Sequence, residues 1–247
     1  MSLKLDYQNR KEEIQAHLDF IQTVENHISN SREILVTGLQ QKILNASFFI
    51  HLYSLIESTL ALCILEVENI INNHHISEFS TFKACIQKLW IKHYFRLNNS
   101  SIIENETSSL EKRIDFTHDA YRKTLDKKSL FRLKIKEKLG TVDNTTFDNV
   151  ARKLDLQLII PDNIKRKILT KSYDGKNALE MIRTKRDKLA HGELSYSDVN
   201  DDYSYEELKD LFDIVCDYLD FVVEAFEKYI SEEGYKLKEE VVEVEKQ

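Results

Sequence analysis

Apolar residues recur at steps of three and four along most of this chain. The first such set, Ile14, Leu18, Ile21 and Val24, predicts an amphipathic helix over residues 3–28. Ser29-Asn30-Ser31 then supplies turn and N-cap chemistry, so a second helix is expected from about Arg32 to Asn72. Between Ile43 and Ile71 that helix is apolar on nearly every face, with Phe48, Phe49, Leu52, Leu55, Ile56 and Leu60 among its residues. A helix patterned this way is enclosed by others, as the strut of a bundle. A third helix is expected over 77–97, followed by an Asn- and Ser-rich loop at 98–109. Residues 110–139 alternate Phe131, Leu133 and Ile135 before Gly140, which fits a helix or a short extended piece. Thr145–Asp148 opens a short helix carrying Val150, Ala151 and Leu154, and Pro161 punctuates the loop after it. The next helix begins near Asp174 and closes at Gly192. Ser204-Tyr205-Glu206-Glu207 matches a capping box, opening a last long helix over 205–232 with Leu208, Leu211, Val215, Leu219 and Phe226 in register. From Gly234 to Gln247 the chain is a charged tail, either frayed helix or disordered.

One proline and five glycines in 247 residues leave too few turn residues for a strand-rich fold. The expected class is therefore all-α: a single helical domain over 1–247, with an insert at about 75–139. Three cysteines, Cys63, Cys85 and Cys216, are far apart and form no C-x-x-C pair. They read as core residues in a reducing compartment, neither a disulfide framework nor a zinc site. The polar N-terminus carries no signal-like apolar run, and no uninterrupted apolar stretch reaches the ~18 residues of a membrane span. A cytoplasmic protein without a membrane partner is the expectation.

The net charge of −7 conceals an asymmetry. Residues 113–192 hold 20 Lys and Arg against 11 Asp and Glu, whereas residues 193–247 hold 5 against 18. Local basic charge of this kind suits nucleic-acid contact, although helix faces that balance in space would look the same.

That basic region ends in Arg186-Asp187-Lys188-Leu189-Ala190-His191-Gly192. Leu179, Ile182, Arg186 and Leu189 fall at steps of three and four, which puts Arg186 on the apolar stripe of its helix. An arginine there needs a partner surface or polar pocket, since an unpaired buried charge is very costly. His191 ends the helix, with Gly192 at the left-handed cap position. On the apolar strut, Glu57 stands among Tyr53, Ile56, Leu60 and Ala61. A carboxylate so placed either pairs with a buried cation or supports a site. His51 on the same strut reads as a hydrogen-bonded core histidine.

Spacing alone carries little. Chance predicts roughly one Arg-x(4–6)-His match in a chain of this composition. Three occur: Arg10 to His17, Arg113 to His118, and Arg186 to His191. Only the third combines an apolar helix face, a polar residue directly after the arginine and a glycine terminator.

Residues 186–192, with Ile182 before them and the 205–232 helix after, resemble the HEPN superfamily (higher eukaryotes and prokaryotes nucleotide-binding). The segment Leu52-Tyr53-Ser54-Leu55-Ile56-Glu57-Ser58-Thr59-Leu60 is similar to a bacterial branch known from restriction and toxin–antitoxin neighbourhoods. The resemblance covers roughly 31–72 and 140–232. It implies a helical bundle that dimerises so that two Arg/His motifs share one cleft, and catalytic members cut RNA without a metal or other cofactor. In that scheme Arg186 and His191 are catalytic and Asp187 and Glu57 support them. Lys185, Lys188, Lys165 and Arg166 hold the RNA backbone, and the partners are RNA, a second copy and a protein antitoxin or restriction-system component. The alternative is a non-catalytic HEPN-type module that binds a protein or nucleotide. A tyrosine two positions after the histidine marks members controlled by a nucleotidyltransferase, and this chain has Glu193 there. A metal-dependent hydrolase is disfavoured by the lack of a suitable His/Asp cluster, and glycine-rich phosphate loops are absent.

Overall fold

A computed structural model describes residues 3–30, 36–74, 76–104, 110–125, 133–135, 142–170, 175–198 and 203–238. Among these the protein is all-α, with eight α-helices and a short 3-10 helix. The helices are α1 (Leu3–Asn30), α2 (Gly38–Asn72), α3 (Ala84–Glu104), α4 (Leu110–Thr124), α5 (Asn144–Leu154), α6 (Asp162–Leu169), α7 (Ala178–Ala190) and α8 (Tyr205–Ser231). Two compact units are distinguished: residues 1–63, 138–151 and 157–227 form one, and residues 64–137, 152–156 and 228–247 the other.

In the first unit the periodic apolar faces become the core. Leu18 and Ile21 of α1, Phe48, Phe49, Leu52 and Ile56 of α2, and Leu208, Val215, Leu219 and Val222 of α8 are all essentially buried. Polar tethers fix how the helices lie. Lys11 donates to Asp220 (2.8 Å) and Tyr7 to the Cys216 carbonyl (3.4 Å), joining α1 to α8. The Tyr205 amide donates to Glu25 (3.1 Å) at the start of α8. α6 buries Ile164 and Ile168 and packs against α7.

In the second unit, Trp90 of α3 stacks on Tyr94 (5.2 Å between centroids), and the Tyr94 hydroxyl donates to Asp119 of α4 (2.6 Å). Two backbone bonds, Lys83 amide to Tyr235 carbonyl (2.9 Å) and Leu237 amide to Thr81 carbonyl (2.8 Å), tie down residues 235–237. Tyr235 is buried there against His74 and Phe82. The first residues of the expected free tail are therefore docked; residues 239–247 lie outside the described residues.

Other expected boundaries move for local reasons. α2 starts at Gly38 and not near Arg32, because Thr37 and Gln40 exchange a capping pair: the Gln40 amide donates to the Thr37 hydroxyl and the Thr37 amide to the Gln40 side chain. Residues 76–81 form the 3-10 helix, so α3 begins seven residues later than expected and continues through 98–104, which were expected as loop. α7 begins at Ala178 because Asn177 and Glu180 form a full capping box. Residues 31–35, 105–109, 171–174 and Gly140 with its neighbours lie outside the described residues, as does Phe131. Leu133 and Ile135 are buried and non-helical, their amides donating to Asn72 and Glu68.

Composition and length alone make α2 suitable to cross a membrane, since an 18-residue window of it has mean hydropathy 1.8. Within the protein 56% of that window is buried, which is how a core helix disposes of the same surface.

Candidate functional site

α7 is positioned by its apolar face and by two long-range arginine contacts. Leu179, Met181, Ile182 and Leu189 are buried. One turn before the motif, Arg183 donates to Asp143 (2.9 Å), the residue that caps α5 through the Thr146 amide. Burial pushes the Asp143 carboxyl up, but bonds from Thr145, Thr146 and its amide, together with Arg183, outweigh it and hold the group below its usual range.

Arg186 comes next on this face and is neither buried nor free. Its guanidinium lies over the ring of Tyr53, 4.6 Å from the centroid, and donates to Asp187 at 2.9 Å. Tyr53 is 2% exposed, and its hydroxyl accepts a bond from the Val142 amide (3.1 Å). Burial raises the Tyr53 pKa, so the platform under the guanidinium is a neutral phenol. A cation–π contact of this kind contributes ~1 kcal/mol and holds the guanidinium at the Tyr53 ring. The partner surface that an arginine on the stripe requires is thus an aromatic ring and its own neighbour's carboxylate.

His191 is exposed at the end of α7. Its amide donates to the Asp187 carbonyl (2.9 Å), and Gly192 follows at φ +71°. The Gly192 amide bonds the Leu189 carbonyl (3.2 Å) and the Glu193 amide bonds Lys188 (2.9 Å), which is the Schellman pattern. This closure holds the histidine backbone in place and leaves its ring in solvent. Arg186 and His191 make no hydrogen bond to each other. Five positions apart at 100° each, they point about 140° apart and sit ~7.5 Å apart along the axis.

The other expected residues fall around this helix end. Lys185 turns its ammonium onto Tyr203 (4.5 Å) and Phe49 (5.4 Å), two rings that meet edge to face at 5.2 Å. Lys188 is exposed in the last turn. Lys165 and Arg166 line a shallow open groove on α6 with Asp162, Leu169 and Thr170. Glu57, one turn beyond Tyr53 on α2, is half-buried and forms no ion pair among the described residues. Its charge acts on the Tyr53 phenol, and the buried cationic partner considered for it is not there. The carboxylate that α2 does bury is Glu68, in the second unit. Among the described residues no group of three His, Cys, Asp or Glu is arranged to hold a metal ion.

Tyr53 is the site residue that sequence reasoning missed. One signal was available: a tyrosine, unlike its apolar neighbours in the strut, brings a hydroxyl that must find a partner when buried. Asn45 belongs to the same surround, donating to the Tyr203 carbonyl at 3.2 Å. Phe49 was read as core and also serves as a wall for Lys185.

No curated protein and no solved structure matches the chain. A family model does, described as RiboL-PSP-HEPN, over residues 5–228. That span takes in α1 through the Arg186–His191 helix end and most of α8, so the chain belongs to this HEPN family.

Proposed function

We propose that the protein is a metal-independent endoribonuclease of the toxin or phage-defence kind, acting as a homodimer with Arg186 and His191 as its catalytic residues. One observation carries this reading: the Arg186 guanidinium lies over Tyr53 and is half-exposed, while His191 is presented to solvent from the same capped helix end. Neither side chain completes a site alone, because one helix aims them in different directions. A two-fold axis close to the α7 ends would bring the Arg186 of one copy to the His191 of the other.

The chemistry asks for little else. In RNA the 2′-hydroxyl is already beside the phosphate, so proximity is supplied by the substrate. His191 acts as general base or acid in the pH range where imidazole titrates. Arg186 neutralises the charge that develops on the phosphorane oxygens, with a fork geometry that lysine lacks. The products are a 2′,3′-cyclic phosphate and a 5′-hydroxyl. Lys188, Lys165 and Arg166 offer backbone contacts, and Asp187 positions the arginine until substrate arrives. Purified protein is expected to cut RNA in the presence of EDTA, and His191→Ala to abolish cutting. Undiminished cleavage by that variant removes His191 from the mechanism.

A further inference from the structure

The first Arg/His pair, set aside for its setting on a charged helix, proves to line a cleft within a single chain. α1 presents Arg10, Glu13, Ile14 and His17, and α2 presents His51, Ser54, Leu55 and Ser58, around a cavity of about 250 Å³. Both sets follow the same spacing, i, i+3, i+4, i+7, so they are the residues two neighbouring helices turn toward each other. Further along this seam the positions are apolar and buried, as Ile21, Val24 and Phe48 show. Here six of the eight are polar. A helix seam normally closes with apolar side chains, and a local departure from that pattern is where function is to be sought.

The polar groups have defined hydrogen-bonding states. The His17 Nε2 atom lies 3.3 Å from both the Leu44 carbonyl and the Ser47 hydroxyl, and because that hydroxyl already donates to the same carbonyl (2.7 Å), Nε2 is assigned as the donor. Burial, reinforced by His51, lowers the His17 pKa against the opposing pull of the Leu44 carbonyl. The ring is therefore neutral at neutral pH and Nδ1 is an acceptor. The His51 ring is 4.9 Å away and exposed, contrary to its reading as a core residue. Arg10 and Glu13 are exposed and form no ion pair among the described residues, although three positions apart on one helix.

We propose that this cleft binds a phosphorylated sugar. Arg10, His51 and Ser54 supply a cation and donors for the phosphate, while Glu13 and His17 Nδ1 supply acceptors for sugar hydroxyls. Inorganic phosphate alone would leave the Glu13 carboxylate facing an anion. A metal ion on the imidazoles and Glu13 would face the Arg10 cation. A ligand bearing both a phosphate and hydroxyls satisfies both ends, and a volume just below the usual range of ligand pockets suits one as small as a single phosphorylated sugar. The two sources of such chemistry are a free pentose phosphate and the 5′-phosphorylated end of a nucleic acid.

Isothermal titration with ribose 5-phosphate, and with an oligonucleotide carrying or lacking a 5′-phosphate, distinguishes the sources and tests the site. The wild-type protein is expected to bind at least one phosphorylated probe. Arg10→Gln and His17→Phe, checked for an unchanged melting temperature, are expected to weaken ribose 5-phosphate binding, or the gain an oligonucleotide draws from its 5′-phosphate, by at least about tenfold, and Arg186→Ala to leave both unchanged. That last arm separates this cleft from the proposed nuclease site, so either can fail alone. The proposal is overturned if neither phosphorylated probe binds up to about 10 mM. It is equally overturned if the two cleft variants bind as well as wild type, if inorganic phosphate binds as tightly as the sugar phosphate, or if Arg186→Ala alone abolishes ribose 5-phosphate binding or the gain from the 5′-phosphate.

Discussion

Two arginine–histidine pairs of nearly equal spacing lie in the same helical unit, and the fold treats them in opposite ways. At the end of α7, Arg186 is laid over a buried tyrosine and His191 is turned out to solvent, so the pair is divided. On α1, Arg10 and His17 line one cleft with His51 from α2, so the pair is brought together. The difference arises from the partners. Five residues place two side chains on different sides of a helix, whereas seven return them to one face. A short motif is therefore a statement about direction, and what each direction meets decides whether its residues share one cleft.

The comparison is tested most strongly at Tyr53. Tyr53→Ala removes a buried ring, the Arg186 platform and the acceptor for the Val142 amide together, and is expected to cost ~3 kcal/mol or more in denaturant unfolding. Tyr53→Phe keeps the ring and strands only the amide, with an expected cost of ~1 kcal/mol. Equal losses in the two variants would mean that the ring is not what holds Arg186.

The two arginines should differ as well. Arg186→Ala gives up a stacked cation and is expected to lower stability by ~1 kcal/mol. Arg10→Ala, with nothing paired to it among the described residues, is expected to fall within ~0.5 kcal/mol of wild type. A reversal of that order would break the contrast. The smallest effect is expected at Asp143. Its carboxyl is held below the usual range in the folded protein, so its contribution is present above about pH 4 and is lost as pH falls through the folded value. Thermal unfolding of Asp143→Asn should show less loss of stability on acidification than wild type, a difference under about 1 kcal/mol for this partly exposed pair.

Much of the fold is legible because its causes are local. Ser204 and Glu207 form the capping box that their spacing announces, with amide-to-side-chain distances of 2.8 and 3.3 Å, and α8 runs as its apolar register requires. Gly192 adopts the left-handed conformation expected of a cap. The start of α2 was misplaced because Ser29-Asn30-Ser31 offers the same capping residue types as Thr37, yet Ser29 and Asn30 still belong to α1 and the Thr37–Gln40 pair is the one that opens α2. Asn98, Asn99, Ser100 and Ser101 have poor helix propensity yet are helical, since propensity is a weak prior beside the packing of the element that carries them.

The candidate site was legible in its helix end and not in its support. Arg186 on an apolar stripe demanded a partner, and the periodicity showed as much. That the partner is Tyr53, more than a hundred residues earlier, depends on how α2 and α7 pack, which no local pattern encodes. Glu57 was chosen for its apolar neighbours, and Tyr53, Ile56 and Leu60 are indeed buried, but its own longer side chain reaches partial exposure. Lys185 was read as a phosphate contact, and its ammonium also lies against the rings of Phe49 and Tyr203, which local sequence did not indicate.

The central claim is that Arg186 and His191 belong to one catalytic site built from two chains, and mixing inactive variants tests it most directly. Arg186→Ala and His191→Ala are each expected to be inactive toward RNA in EDTA. Unfolded and refolded together, they should form mixed dimers that reunite an intact arginine from one chain with an intact histidine from the other. Recovery of up to about a quarter of wild-type activity is the result expected for a symmetric dimer with two such sites. A mixture as inactive as its components, with mixed dimers demonstrably formed, would contradict the shared site.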